Sequence, residues 1–105
     1  MIRNVVVGRV RPDVPREQVE EALAAILALD PPGCLDLRAG VDAGLREGNW
    51  SFSITADFVD EAAYREYDLE AEHNRVRREL LGPICADVVR VQFVTGPAVR
   101  AAGTP

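Results

Sequence analysis

Residues 50–94 carry the pattern that decides the fold, and they read WSFSITADFVDEAAYREYDLEAEHNRVRRELLGPICADVVRVQFV. The first nine of them alternate between apolar and polar side chains, which is typical of a half-buried β-strand. Two helical segments are predicted next, at residues 60–67 and 71–82. A Val-rich stretch at residues 87–95 then predicts a further strand. This half of the chain is therefore expected to form a strand, a helical region and a second strand.

The N-terminal half follows the same order. Residues 2–11 are rich in Val and end at Pro12, which predicts a strand. A helix is predicted next, because apolar residues up to Leu29 recur at helical spacing. Apolar and polar residues then alternate over residues 34–42, which predicts the second strand. Two strand–helix–strand halves predict an α+β protein of the ferredoxin-like (βαββαβ) class. In that class two helices cover one face of a four-stranded antiparallel sheet.

The length of 105 residues suits a single domain. We expect this domain to span residues 1–96, because residues 97–105 are small, polar and interrupted by Gly and Pro, which favours a flexible C-terminal tail. The longest apolar run is far shorter than the roughly 20 residues that a membrane span requires. No membrane partner is therefore expected, and the chain is predicted to be cytoplasmic with both cysteine thiols reduced.

Composition excludes several kinds of chemistry. Seventeen acidic and twelve basic residues give a net charge of −5, which disfavours binding to nucleic acid. All twelve basic residues are Arg, so no lysine amine exists to form a Schiff base or to hold pyridoxal phosphate. A single histidine and two distant cysteines do not make a common zinc site. We therefore expect no metal and no cofactor.

The uncovered face of the predicted sheet bears on association. The third strand places Ser51, Ser53, Thr55 and Asp57 on that face, whereas the first strand contributes valines. A mixture of polar and apolar residues is typical of a partly buried interface. The expected assembly is a homodimer whose sheets face each other, and the alternative is a monomer with a solvated sheet.

His73 is the residue best suited to proton transfer, because its ordinary pKa lies near physiological pH. It shares a helical stripe with Leu69, Val76 and Leu80, so its ring is predicted to face the sheet. Tyr67 lies six positions earlier, about 120° away around an unbroken helix. A break between Asp68 and Ala71 would bring the two rings together.

A cavity beside these rings is the predicted binding site. Asn4 is the polar residue on the helix-facing side of the first strand, and Gly8 on the same side is expected to leave a void. Together with the aromatic residues of the third strand they predict an apolar pocket with a few polar groups. The candidate substrate-binding residues are Asn4, Gly8, Trp50 and Phe52, and the candidate catalytic residues are His73 and Tyr67. A satisfied polar cluster within the core, without catalysis, is the alternative interpretation.

Three features resemble the stress-responsive A/B barrel (Dabb) family, over about residues 2–94. They are the opening strand at residues 2–7, the Gly48 loop leading into a strand that ends at Asp57 and Phe58, and the triplet Ala71–His73, which reads AEH where the family commonly has PAH. The resemblance implies a ferredoxin-like protomer that pairs into a dimeric α+β barrel. The family often has His at the position of Asn4, so this pocket is expected to be less basic.

The resemblance also implies a chemistry. A plant polyketide cyclase of this family closes a linear thioester by aldol condensation with a Tyr and a His six residues apart, the separation of Tyr67 and His73. By that likeness His73 would remove a proton and Tyr67 would hydrogen-bond the developing oxyanion, without a cofactor. The implied ligand is a hydrophobic, carbonyl-bearing small molecule. Two alternatives stay open: a non-catalytic stress-responsive dimer, and a cofactor-independent monooxygenase in which Trp50, Tyr67 and His73 would position an electron-rich substrate.

Overall fold

The computed structural model describes residues 1–96. The predicted tail at residues 97–105 lies outside them. The strands are β1 (Ile2–Val10), β2 (Cys34–Val41), β3 (Phe52–Phe58) and β4 (Cys85–Val94), and the helices are α1 (Arg16–Leu27), α2 (Glu61–Leu69) and α3 (Ala71–Val76). Helix α3 continues through a π-helical turn at Arg77–Leu81 and a 3-10 turn at Gly82–Ile84. All the predicted strands and helical regions are present, with small shifts at their ends.

The four strands form one antiparallel sheet in the order β2-β3-β1-β4. This order confirms the ferredoxin-like α+β fold. Strand β1 pairs Val6 with Ile54 and Gly8 with Phe52, so these residues share the face that the helices cover. Apolar side chains that alternate along β3 are thereby collected on one side of the sheet.

The main core lies between α1 and this face. Helix α1 buries Val19, Ala22, Leu23 and Ile26, in agreement with the predicted stripe. They pack in one cluster with Phe52 and Ile54 of β3. The stripe predicted for the second helical region is only partly correct, because His73 and Val76 are buried whereas Leu69 is 81% exposed. A break in the helix after Leu69 changes the direction of the axis at that point.

Strand β3 begins at Phe52, two residues later than predicted. The backbone N–H of Ser51 donates to the carbonyl of Gly8, and its hydroxyl accepts from the N–H of Val10. The preceding loop contains Gly44 and Gly48, whose φ angles of 75° and 82° suit glycine. Trp50 therefore belongs to the loop and does not continue the alternation of the strand.

Strand β4 has an unusual distribution of polarity. Its apolar residues Val89, Val91 and Phe93 point to the face of the sheet without helices, where they are 53%, 56% and 44% exposed. Its helix-side positions include Arg90 and Gln92. This edge strand therefore has two polar residues among its helix-side positions and three exposed apolar residues on the opposite side.

Candidate functional site

The site is built around the break between α2 and α3. Glu70 has extended backbone angles (φ −68°, ψ 132°) between two helical segments. Its carboxylate accepts hydrogen bonds from the backbone N–H groups of Glu72 (2.9 Å) and His73 (2.6 Å). Glu70 thus caps the first turn of α3, where free N–H groups need acceptors. This confirms the predicted break and fixes the position at which His73 leaves the backbone.

The break brings Tyr67 and His73 into contact. Their ring centroids are 3.8 Å apart, and the ring planes meet at 27°, so the rings stack. The Nδ1 atom of His73 lies 3.0 Å from the backbone carbonyl oxygen of Tyr67. Because a carbonyl oxygen only accepts, Nδ1 must donate, and the neutral imidazole then carries its lone pair on Nε2.

Burial shifts the pKa values of both rings. The pKa of His73 lies below its ordinary value of 6.5, chiefly because burial disfavours the cation and also because Arg77 is positively charged. The hydrogen bond to the Tyr67 carbonyl acts in the opposite direction but is the weaker influence. Burial also raises the pKa of Tyr67 to about 12. At neutral pH the pair is therefore an uncharged imidazole, able to accept a proton, beside an uncharged phenol, able to donate a hydrogen bond.

A cavity of about 110 Å³ lies between these rings and the sheet. Its polar and charged lining comes from β1, the helical region and β4. The lining residues relevant to chemistry are Asn4, Tyr64, Tyr67, Asp68, His73, Arg77, Cys85 and Arg90. Apolar side chains from α1 and β3, among them Ile26 and Phe52, complete the wall. The arrangement has the composition of a small-molecule site, although its volume is small.

Four of the six residues proposed from the sequence line this cavity: Asn4, Phe52, Tyr67 and His73. Asn4 is 6% exposed, and its Oδ1 accepts a hydrogen bond of 2.7 Å from Nε2 of Gln92. Their part in binding and catalysis stays a prediction. The structure brings these four together because β1, β3 and the helix break all face the same space.

Gly8 and Trp50 do not line the cavity, which corrects their predicted placement. Gly8 leaves no void, because the Phe52 ring occupies the space above it; a Cβ atom at Gly8 would lie 2.2 Å from Cζ of that ring. Trp50 borders a shallow hollow with Val7 and Thr55 from the open face of the sheet. The guanidinium of Arg9 lies 5.7 Å from the centre of its ring.

Sequence reasoning missed several lining residues. Tyr64 and Arg77 are not among the residues predicted for the site, yet both reach the cavity. Arg90 is also absent from the predicted site. It pairs with Val6 of β1 and therefore lies on the helix-covered side of the sheet. A charged residue at a helix-side position of a strand was the signal that could have found it.

Within residues 1–96, no three His, Cys, Asp or Glu side chains come together as metal ligands. No helix of that part of the chain is both long and apolar enough to cross a bilayer.

The fold and this pocket define a ferredoxin-like α+β protein with a stacked imidazole and phenol at a small cavity. The family model described as the stress responsive A/B barrel domain (Dabb) matches residues 2–95, and the chain belongs to this family. No curated protein sequence matches it.

Solved structures share the architecture. A dimeric ferredoxin-like protein of unknown function from Thermobifida fusca YX is 31% identical, with a TM-score of 0.80 over 90% of each chain. A hydroxynitrile lyase from Passiflora edulis is 16% identical, with a TM-score of 0.78 over 92% of this chain and 94% of the lyase. An antibiotic biosynthesis monooxygenase is 17% identical, with a TM-score of 0.66 over 92% of this chain and 100% of the monooxygenase. The last two similarities concern the fold.

Proposed function

We propose that this protein binds a hydrophobic, carbonyl-bearing small molecule and catalyses an aldol-type ring closure by general acid–base chemistry, without a cofactor. The observation that carries the proposal is the hydrogen bond from Nδ1 of His73 to the Tyr67 carbonyl. That bond holds the imidazole in the tautomer whose Nε2 accepts a proton, and His73 lines the cavity. A lowered pKa keeps the imidazole neutral and ready to act near pH 7.

The first step is removal of a proton from a methylene group that lies between two carbonyls. Nε2 of His73 takes the proton, and the electron pair of the C–H bond moves into an enolate. Negative charge develops on the carbonyl oxygen, which needs a hydrogen-bond donor in a site that excludes water. Tyr67, whose ring stacks on the imidazole, lines the same cavity and provides a hydroxyl donor, which stays protonated because its pKa is about 12.

The second step forms the ring. The nucleophilic carbon of the enolate attacks a second carbonyl of the same molecule and forms a carbon–carbon bond. The imidazolium of His73 returns its proton to the resulting alkoxide, which restores the neutral base. Protons and electrons balance over the two steps, so the reaction requires no oxidant.

The size of the cavity limits the substrate. A volume of about 110 Å³ accommodates a reacting segment of a few heavy atoms, and the rest of a longer chain would extend past the exposed edge at β4. The small volume also favours a second candidate reaction, the cleavage of a small aliphatic hydroxynitrile, since such a molecule has few heavy atoms. There Nε2 of His73 would remove the hydroxyl proton, the electron pair on oxygen would form a carbonyl as the carbon–carbon bond to the nitrile breaks, and the departing cyanide would take the proton back from the imidazolium.

The monooxygenase alternative receives less support. It requires Trp50 to position an electron-rich substrate together with Tyr67 and His73, and Trp50 does not border the cavity that the other two residues line. A non-catalytic role in binding uses the same cavity and differs only in the absence of turnover.

A homodimer is part of the proposal. The open face of the sheet presents the apolar residues Val89, Val91 and Phe93 to solvent, beside the half-buried ion pair of Arg3 and Asp57. A contiguous exposed apolar patch of this kind is typical of an interface. The Thermobifida fusca relative at 31% identity is described as dimeric, which supports the same assembly here.

The test uses His73→Asn with a linear polyketide thioester as substrate. Asparagine keeps a donor near the position of Nδ1 and so retains the bond to the Tyr67 carbonyl, but it lacks Nε2. We expect cyclisation above the uncatalysed rate in the wild type and none in the variant, with melting temperatures within a few degrees. His73→Gln provides a second variant without the base. Cyclisation that is undiminished in a folded variant, or absent from the wild type, would overturn the proposal, and cleavage of acetone cyanohydrin would select the second reaction.

A further inference from the structure

The polarity of β4 indicates what kind of ligand the cavity takes. Arg90 stands at a helix-side position, opposite Val6 of β1, where a core-facing strand ordinarily has an apolar residue. The side chain lines the cavity and is exposed at its edge. Among residues 1–96, no carboxylate lies within 4.0 Å of its guanidinium.

The charged groups around the cavity leave one positive charge without a partner. The charged residues that line the cavity are Asp68, Arg77 and Arg90. A carboxylate oxygen of Asp68 lies 3.8 Å from the Arg77 guanidinium, so these two charges offset each other. His73 is neutral because its pKa lies below 6.5. The remaining charge is that of Arg90, which suits a monoanion better than a doubly charged phosphate.

Asn4 supplies a second donor deeper in the same cavity. Its side chain is 6% exposed, and its carbonyl oxygen is engaged by Gln92 at 2.7 Å. Within the described chain, the amide nitrogen of Asn4 makes no hydrogen bond to protein. Among the described residues every fully buried side-chain nitrogen has a partner, so this nitrogen is open to the cavity, where a ligand oxygen would be its acceptor.

We infer that the ligand carries a carboxylate, which Arg90 binds at the edge of the cavity while Asn4 donates to a ligand oxygen farther in. The inference rests on the proposed function, because it assigns a substrate class to the site that contains His73. It adds that the substrate of the ring closure carries a free carboxylate in addition to its reacting carbonyls, and levulinate serves below as a fragment of such a molecule. A guanidinium pairs with a carboxylate through two parallel hydrogen bonds, which also orients the carbonyl end toward the imidazole.

The test compares levulinate, its neutral methyl ester and acetonylphosphonate in NMR titrations of the full chain. His73 is the single histidine, so its ring protons report binding at this site without overlap. We expect levulinate to bind at least tenfold more tightly than either of the other two. Arg90→Gln should remove most of that preference and leave ester binding unchanged, whereas the control Arg78→Gln, on the exposed helix surface, should change neither.

Several outcomes would overturn the inference. They are equal binding of acid and ester, tighter binding of the phosphonate, an equal loss of acid and ester binding in Arg90→Gln, and no saturable binding of levulinate. Failure of the proposed function is distinguishable from these, because His73→Asn should abolish turnover but still bind levulinate, as followed through the side-chain amide signals of Asn4.

Discussion

The ring of His73 stacks on the ring of Tyr67 at a centroid distance of 3.8 Å, while its Nδ1 is bonded to the backbone carbonyl of the same residue. Two contacts from one partner fix both the plane of the imidazole and its tautomer. The Glu70 carboxylate adds a third constraint by binding the backbone N–H of His73. A general base held in this way loses little conformational freedom when a substrate enters.

Replacement of Tyr67 by Phe tests the role of the hydroxyl. The variant keeps the stacked ring and the backbone carbonyl, so the position of His73 should not change. If the hydroxyl stabilises an oxyanion, kcat should fall by roughly 10- to 1000-fold, which corresponds to about 1.4 to 4 kcal/mol. Steady-state kinetics measures the loss, and Tyr64→Phe serves as the control with a ring in the same cavity wall. An unchanged kcat would remove the hydroxyl from the mechanism.

The pH dependence follows from the lowered pKa of His73. Burial disfavours the imidazolium in the folded protein, so the unfolded chain binds more protons between the folded pKa and 6.5. The stability that His73 contributes is complete above pH 6.5 and is lost as the pH falls through the folded pKa. Activity should decline over the same acidic range, below pH 6.5.

Arg77→Gln should raise the pKa of His73, because the Arg77 charge is one of the causes that lower it. The acidic limb of the pH–rate profile and the NMR titration of the His73 ring should both move to higher pH. Arg78→Gln provides the matched control and should leave both curves in place. Movement to lower pH in Arg77→Gln would contradict this account of the electrostatics.

Gly8→Ala should destabilise the fold. The new Cβ would lie 2.2 Å from the Phe52 ring, which is buried and must move. Overpacking of this kind costs about 1 to 3 kcal/mol, and chemical denaturation measures it. Gly40→Ala is the control, since nothing lies within 4 Å of a Cβ atom there. Equal stability of the two variants would show that the Phe52 ring yields without cost.

Val91→Asp should weaken the proposed homodimer, because a charge would stand in the middle of the apolar face. Analytical ultracentrifugation should show dissociation at concentrations where the wild type remains dimeric. Leu69→Asp makes the same kind of change at a residue that is 81% exposed on the helical side, and it should leave the dimer intact. A wild type that sediments as a monomer would contradict the proposed assembly.

Much of the site was accessible from the sequence. From the six-residue separation of Tyr67 and His73, the sequence indicated that a break between Asp68 and Ala71 would let the rings meet, and both the break and the contact are present. The helix-facing parity of Asn4 placed it beside them. Such predictions succeed because they depend on local periodicity and on one capping interaction.

Other placements depended on what lies across the sheet. The alternating pattern predicts that β3 starts at Trp50. In the structure, the regular pairing ends where Ser51 forms its hydrogen bonds with β1. The sequence predicts a void beside Gly8, whereas the Phe52 ring from the paired strand fills that space. A glycine in a sequence shows that a side chain is absent, but it does not show which neighbouring side chain fills the space.

The sequence by itself determined the order of strands and helices, the ferredoxin-like class and the pairing of a phenol with an imidazole, because each follows from the spacing of residues within one segment. Only the tertiary structure decided that Arg90 lies beside the cavity and that Val89, Val91 and Phe93 face away from the helices. Period-two alternation divides the residues of a strand between two faces, but the side on which the helices pack is set by contacts between distant segments.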